Sequence, residues 1–261
     1  MTKPCVLVFA GSDPSGGAGL QADIQAITAL GAHPLPIVTV LTVQDNNHVF
    51  AAHPVPAALV KQQAQALLDK IGIATVKIGI VGNRANAEAI ADIINTLRRK
   101  QPDLPVVLDP VLASGHGHAL GVEDAAQALA PLLPIATLVT PNLPEANVLC
   151  QGERRLDAQA ESLLQQGCRH VLIKGGHATG PEVVNRWFTQ GDFRSWTWPR
   201  LIDSYHGSGC TLAAATAALL INGRSMPDAL ALAQAYCHQA LISSFEIGAG
   251  QRIPDRSIAF F

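Results

Sequence analysis

The sequence predicts a three-layer α/β fold with a central, mostly parallel sheet flanked by helices. Three observations carry this. Short, continuously apolar runs alternate along the chain with longer segments of helical periodicity. The runs lack a polar face, as strands covered on both sides do, and the loops that follow them gather glycine and polar residues. With 261 residues, 48% of them hydrophobic, the chain can bury roughly 70–75% of its unfolded surface without disulfide or metal staples. No linker, repeat or low-complexity tract interrupts it, so one domain is expected over residues 1–261.

The elements follow in order. Pro4–Ala10 reads as a buried strand, and GSDPSGGAG behind it has the freedom for a tight turn. Leu20–Leu30 reads as a helix, with apolar Leu20, Ile24, Ile27 and Leu30 on one side and Gly31 as its stop. Leu35–Val43 is the second strand, rich in β-branched residues, and QDNNH ends it in a polar turn. A helix over Pro56–Ile71 precedes the strand-like ATVKIGIVG, and Asn86 is expected to cap the next helix, AEAIADIINTLRR. Pro105–Asp109 and Ala136–Thr140 read as short strands, with DPVLASGHGHAL and TPNLPEANVL as loops at their exits. After a helix over Leu156–Gln166 and the strand HVLIKGGH, EVVNRWF and RSWTWP form an antiparallel pair turning near Gly191–Asp192. One sheet edge is therefore expected to be mixed. Helices starting near Thr211 and Asp228 close the chain.

Charge and cysteine usage narrow the partners. Twenty acidic residues against eighteen Lys and Arg give a net charge of −2, without the basic footprint of a nucleic-acid binder. Cys5, Cys150, Cys168, Cys210 and Cys237 are odd in number and widely spaced, which fits a reducing compartment better than a disulfide scaffold. The N-terminal residues run into a glycine loop with no cleavage pattern, and the longest apolar helix candidate, Thr211–Ile221, is shorter than the roughly 17 residues that span a bilayer. A cytoplasmic protein away from membranes is expected.

Chemistry concentrates at strand exits, where parallel-sheet proteins bind ligands. In DSYHGSGC, just before a long helix candidate, Gly207, Ser208, Gly209 and Cys210 are placed to aim backbone N–H groups at a phosphate, with the helix N-terminus adding positive potential. The local sequence equally permits an ordinary glycine-rich turn. A thiol at a helix start is open to a lowered pKa and to proton transfer, and Cys210 is equally open to a packing role. His116 and His118 in HGH have too few companions for a zinc site.

Taken together, GSDPSGGAGLQAD, KIGI, VLDPV, TPNLPEA, KGGH and HGSGCTLAAA, in this order and over essentially the whole chain, resemble the hydroxymethylpyrimidine and phosphomethylpyrimidine kinases of thiamine biosynthesis, a branch of the ribokinase-like fold. The resemblance implies phosphorylation of 4-amino-5-hydroxymethyl-2-methylpyrimidine to its monophosphate and then its diphosphate, with ATP as donor, Mg²⁺ as cofactor and a homodimer as assembly. It implies Asp23 beside the pyrimidine amino and hydroxymethyl groups, Gln44 on a ring nitrogen, Gly11 and Ile80 lining the ring, and Gly207–Cys210 as the anion hole, with Cys210 as proton acceptor. Ile80 stands where the family often has methionine, and Ser208 where it more often has threonine. By the same resemblance Asp109 and Glu145 organise Mg²⁺ through water, Asn142 orients that water on the nucleotide side, and Lys174 meets the ATP phosphates. The segment VLASGHGHAL departs from the family in lacking a lysine. His206 is left outside catalysis. Two other readings remain: a pyridoxal or pyridoxine kinase, and a regulatory protein that binds a pyrimidine or nucleotide without turning it over.

Overall fold

The computed structural model describes residues 2–112, 125–221 and 223–260; His116 and His118 lie outside them. Its nine strands are β1 (Cys5–Ser12), β2 (His33–Gln44), β3 (Val49–Pro54), β4 (Ile73–Ile78), β5 (Val106–Leu108), β6 (Leu138–Val139), β7 (His170–Ile173), β8 (Glu182–Thr189) and β9 (Asp192–Pro199). They form one sheet in the order β3-β2-β1-β4-β5-β6-β7-β8-β9. The six inner strands from β2 to β7 are parallel, whereas β3, β8 and β9 pair antiparallel.

The helices are α1 (Gly19–Ala29), α2 (Ala57–Leu68), α3 (Arg84–Lys100), α4 (Ala125–Leu129), α5 (Leu143–Leu149), α6 (Leu156–Gln165), α7 (Ser208–Leu220) and α8 (Met226–Ile242). Side chains alternate across a strand, so β1 sends Leu7 and Phe9 into one core with α2, α3 and α6, and Val6, Val8 and Ala10 into the other with α1, α7 and α8. Each fully buried Leu, Ile or Phe contributes about 1.5–3 kcal/mol of transfer free energy, and the two cores sandwich the sheet from both faces. The alanine-rich α7 is buried along nearly its whole length, because small side chains let it lie close against the sheet. Among the described residues no helix is long and apolar enough to cross a membrane.

Three expectations are corrected. The sheet is mixed at both edges, not one: residues after QDNNH form β3, a short edge strand with no fully buried residue to mark a core face. Asn83, not Asn86, caps α3 by accepting the Asn86 N–H at 2.9 Å. Asn86 is buried inside the helix, donating to the carbonyls of Thr39, Val55 and Val81, bonds that an exposed cap could not reach. The loop TPNLPEANVL contains α5, started by a capping box in which Asn142 Oδ1 accepts the Glu145 N–H at 2.8 Å and Glu145 Oε2 accepts the Asn142 N–H at 2.7 Å.

Candidate active site

A cavity of about 720 Å³ runs along the carboxyl ends of the parallel strands. The sheet order sorts its lining into two ends. Gly11 and Gln44 lie at the ends of β1 and β2 and Ile80 follows β4; Asn142 and Lys174 follow β6 and β7, and Trp198 lies in β9. Asp109, just past the central β5, stands beside Lys174 on the second side, and the first turn of α7 lies between the two ends. All the residues expected at the site line this cavity except Asp23.

The start of α7 is built from backbone. Gly207 is its N-cap in a left-handed conformation (φ 77°), with no side-chain cap. A Cβ at Gly207 would collide with the Gly17 carbonyl oxygen and stand 2.9 Å from Arg256 Nη2, so the turn closes only around glycine. The first intrahelical bond runs from the Thr211 N–H to the Gly207 carbonyl at 2.9 Å, which leaves the N–H groups of Ser208, Gly209 and Cys210 without intrahelical acceptors. Ser208, Gly209 and Cys210 line the cavity with the helix dipole behind them. A Cβ on Gly11 would stand 2.8 Å from Ile80 Cγ2, so glycine there lets the Ile80 side chain pack against the β1 backbone.

Cys210 is half-buried in this first turn. Burial pushes its thiol up to about 11, and Asp23 and Asp109 push the same way, while Lys77 and the Gly19 N–H act against them. Of the two roles the sequence left open for a helix-start thiol, a lowered pKa is the one the structure opposes, because desolvation outweighs the pull of Lys77 and the Gly19 N–H.

The placement of Asp23 is corrected. It is fully buried and does not line the cavity. Its Oδ2 lies 2.8 Å from Lys77 Nζ, with both side chains completely shielded from water. Lys77 does line the cavity, so Asp23 stands behind it. Burial works against the Lys77 charge, but the carboxylates of Asp23 and Asp109 outweigh burial and keep it cationic.

On the β6–β7 side, Lys174 Nζ lies 2.8 Å from Asp109 Oδ1 and 4.0 Å from Glu145 Oε2. Thr140 Oγ1 also donates to Asp109 Oδ1 at 3.1 Å. Burial acts upward on Asp109, but Lys174 and Lys77 overcome it and hold the carboxyl below its usual range. Glu145 differs: burial, aided by Asp109, lifts it to about 7 against Lys174. Asn142 lines the cavity with its Oδ1 committed to the α5 cap, so its remaining polar atom is the Nδ2 donor. Among the described residues no three His, Cys, Asp or Glu side chains converge to hold a metal. Two carboxylates sharing one lysine form a hard-oxygen donor set, suited to a divalent cation that brings water and phosphate oxygens of its own.

Asp13, Lys77, Trp198, Gln234 and His238 belong to the site without having been expected there, and His206, left outside catalysis, joins them. Asp13, in the glycine turn, accepts from the N–H groups of Ser15 and Ala18 and from the Ser15 hydroxyl, and lies 2.9 Å from His206 Nε2. His206 lines the cavity, 3.4 Å from Gln44 Nε2. At the far end the Trp198 indole N–H donates to Gln234 Oε1 at 3.1 Å, and the Trp198 ring lies 5.0 Å from the His238 ring. Lys77 had one available signal, a charge inside an otherwise apolar strand, which burial obliges to find a partner.

Residues 13–255 match the family model described as phosphomethylpyrimidine kinase. The chain belongs to this family, within the ribokinase-like superfamily. The family member is 38% identical to the hydroxymethylpyrimidine/phosphomethylpyrimidine kinase of Streptomyces coelicolor, with 96% of this chain and 93% of that protein covered. It is 34% identical to the Haemophilus influenzae enzyme of the same name, with 94% and 93% covered. Among solved structures, the ADP complex of Staphylococcus aureus pyridoxal kinase is 28% identical with a TM-score of 0.88, covering 98% of this chain and 94% of that one. A phosphomethylpyrimidine kinase from Clostridium difficile is 32% identical with a TM-score of 0.77, covering 92% and 100%. The α/β architecture, with its mostly parallel sheet, is that of these kinases.

Proposed function

We propose that the protein phosphorylates 4-amino-5-hydroxymethyl-2-methylpyrimidine to its monophosphate and then its diphosphate in thiamine biosynthesis, using ATP. One observation carries this reading. The uncapped first turn of α7 opens at the seam between Gly11, Gln44 and Ile80 on one side and Asp109, Glu145 and Lys174 on the other. An acceptor ring and a nucleotide fit one on each side of that seam, with the transferring phosphoryl group between them.

In this reading Gln44 hydrogen-bonds the ring and Ile80 packs on it. The Ser208, Gly209 and Cys210 N–H groups hold the equatorial phosphoryl oxygens, whose charge develops in transfer. Lys174 takes a phosphate oxygen of ATP. Asp109 and Glu145 would hold Mg²⁺ through water, and the bound ion would neutralise phosphate charge. Trp198 and His238 offer flat surfaces at the distal end for the nucleotide base. Cys210 accepts the acceptor hydroxyl proton, and Lys77 favours its thiolate. A homodimer belongs to the same reading and is tested by the molar mass in solution.

A second reading is supported by one specific observation. Overlay on the S. aureus pyridoxal kinase structures is higher (TM-score 0.87 to 0.88) than on the C. difficile pyrimidine kinase (0.77), although sequence identity favours the pyrimidine enzymes. Acceptor choice rests on a few side chains around Gln44 and Ile80, which an overlay of backbones weighs little. The deciding experiment supplies ATP and Mg²⁺ with the hydroxymethylpyrimidine, its monophosphate or pyridoxal and resolves the products. Pyrimidine diphosphate formed by way of the monophosphate is the expected result. Pyridoxal turnover equal to or above that of the pyrimidine would overturn the assignment, and no turnover of any acceptor would favour a binding protein.

A further inference from the structure

Arg256, in the segment after α8, is the largest fully buried side chain of the described residues, with 1% of its surface exposed. Its guanidinium donates to Thr211 Oγ1 at 2.8 Å, Gln25 Oε1 at 3.1 Å, and the carbonyl oxygens of Gly17 and His206 at 2.5 and 3.5 Å. The Tyr236 hydroxyl fixes its backbone by donating to the Arg256 carbonyl at 2.7 Å. Every one of these side-chain acceptors is neutral. Among the described residues no carboxylate is paired with it, and the nearby buried Asp23 is already bonded to Lys77.

A buried charge ordinarily finds an opposite charge or loses its proton. Arginine keeps its proton, so here a buried positive charge has no carboxylate in hydrogen-bond contact, and Asp23, which acts on it from a distance, is shared with Lys77. Its position is not arbitrary. Thr211 is in the turn that follows Cys210, His206 and Gly207 lead into α7, and Gly17 ends the glycine turn against which Gly207 closes. The guanidinium thus ties together the segments that shape the anion hole, from behind. Its charge adds to the partial positive charge of the helix N-terminus, and an arriving phosphoryl group is the anion that offsets both.

We propose that Arg256 is a positioning residue of the phosphoryl site, whose unpaired buried charge supplies the standing positive potential behind Ser208, Gly209 and Cys210. The proposal rests on the reading of Gly207–Cys210 as the anion hole. Two variants test it in the full-length protein: Arg256→Gln keeps hydrogen-bonding groups without charge, and Arg256→Lys keeps charge with fewer donors. Inorganic phosphate binding is measured by calorimetry, kinase kinetics at saturating ATP, and folding by cooperative thermal unfolding. Arg256→Gln is expected to weaken phosphate binding at least tenfold and to lower kcat about 100-fold, with the acceptor KM within about threefold. Arg256→Lys is expected to hold both within about tenfold of the parent. Folded Arg256→Gln that binds phosphate as the parent does, or equal impairment of the two variants, would overturn the role of charge. Failure of both variants to fold would also overturn it, by assigning Arg256 to the fold alone. A parent protein that binds no phosphate would instead sink the anion-hole reading beneath it.

Discussion

Lys77 Nζ lies 2.8 Å from Asp23 Oδ2, both side chains are wholly shielded from solvent, and only the lysine reaches the cavity. Asp23 therefore acts on the site through Lys77. Asp23→Asn leaves a buried ammonium without its counter-charge, and breaking such a pair on one side costs roughly 3–5 kcal/mol. Urea denaturation measures the loss; less than about 1 kcal/mol would contradict the pairing. Replacing both partners together, Asp23→Val with Lys77→Met, is expected to recover much of the stability. The ratio of kcat/KM for the pyrimidine over pyridoxal should stay the same in Asp23→Asn while both values fall, because the carboxylate does not meet the acceptor.

Cys210 carries the pH dependence of the chemistry. With its thiol pushed up to about 11, the thiolate at pH 7 is on the order of one part in 10⁴. If that thiolate takes the acceptor proton, raising the pH enlarges the reactive fraction. Above pH 8, where Glu145 at about 7 is already ionised, single-turnover rates should then climb about tenfold per pH unit up to pH 10. Cys210→Ser and Cys210→Ala should lose both the slope and most of the rate while retaining ATP binding. A flat profile in the parent protein would remove Cys210 from proton transfer and leave it as an anion-hole donor only.

What the sequence made legible was local. The glycine turn behind β1 and the start of α7 are spelled out by consecutive residues whose backbone freedom and N–H groups are the site itself. Even the missed α5 carried a local mark, the N-x-x-E spacing of Asn142 and Glu145. The rest depends on what the sheet brings together. Asp23 and Lys77 are 54 residues apart, Asp13 and His206 are 193 apart, and Gly17 and Arg256 are 239 apart. No periodicity encodes such pairs. A resemblance that placed Asp23 at the acceptor could not show that a lysine stands in between, and nothing local marks Arg256 in the tail as the cation behind α7.

Arg200 offers a test of how the nucleotide side is held. Its guanidinium donates to the carbonyls of Gly176, Ala178, Gly180 and Glu182 at 2.7 to 3.2 Å. It thereby pins the loop whose residues Gly176 and His177 line the cavity. Loosening that loop should affect ATP binding more than chemistry. Arg200→Ala is expected to raise the KM for ATP about fivefold to tenfold and to leave kcat within about twofold. Arg200→Lys should rescue only part of this, since an ammonium cannot span four carbonyls as a planar fork does. An unchanged KM for ATP would show that the loop does not bear on the nucleotide.

Asp13 joins the glycine turn to the approach of α7 by its contact with His206, and its ionisation makes that junction sensitive to acid. Burial acts upward on its carboxyl, but the bonds from His206, Ser15 and Ala18 prevail and hold it at about 2, against an ordinary 3.8. A depressed folded-state pKa stabilises the fold above the unfolded value and loses that stabilisation as pH falls through the folded one. The difference corresponds to about 2 kcal/mol at pH 6. Asp13→Asn should therefore be less stable than the parent by about 2 kcal/mol at pH 6, and by only about 1 kcal/mol at pH 3, where protonation of the unfolded-state carboxylate has removed part of the folded state's advantage. Urea denaturation of both proteins at the two pH values measures the gap. A gap that stays constant or widens toward acid would show that Asp13 holds the two loops together by hydrogen bonding alone, without its charge.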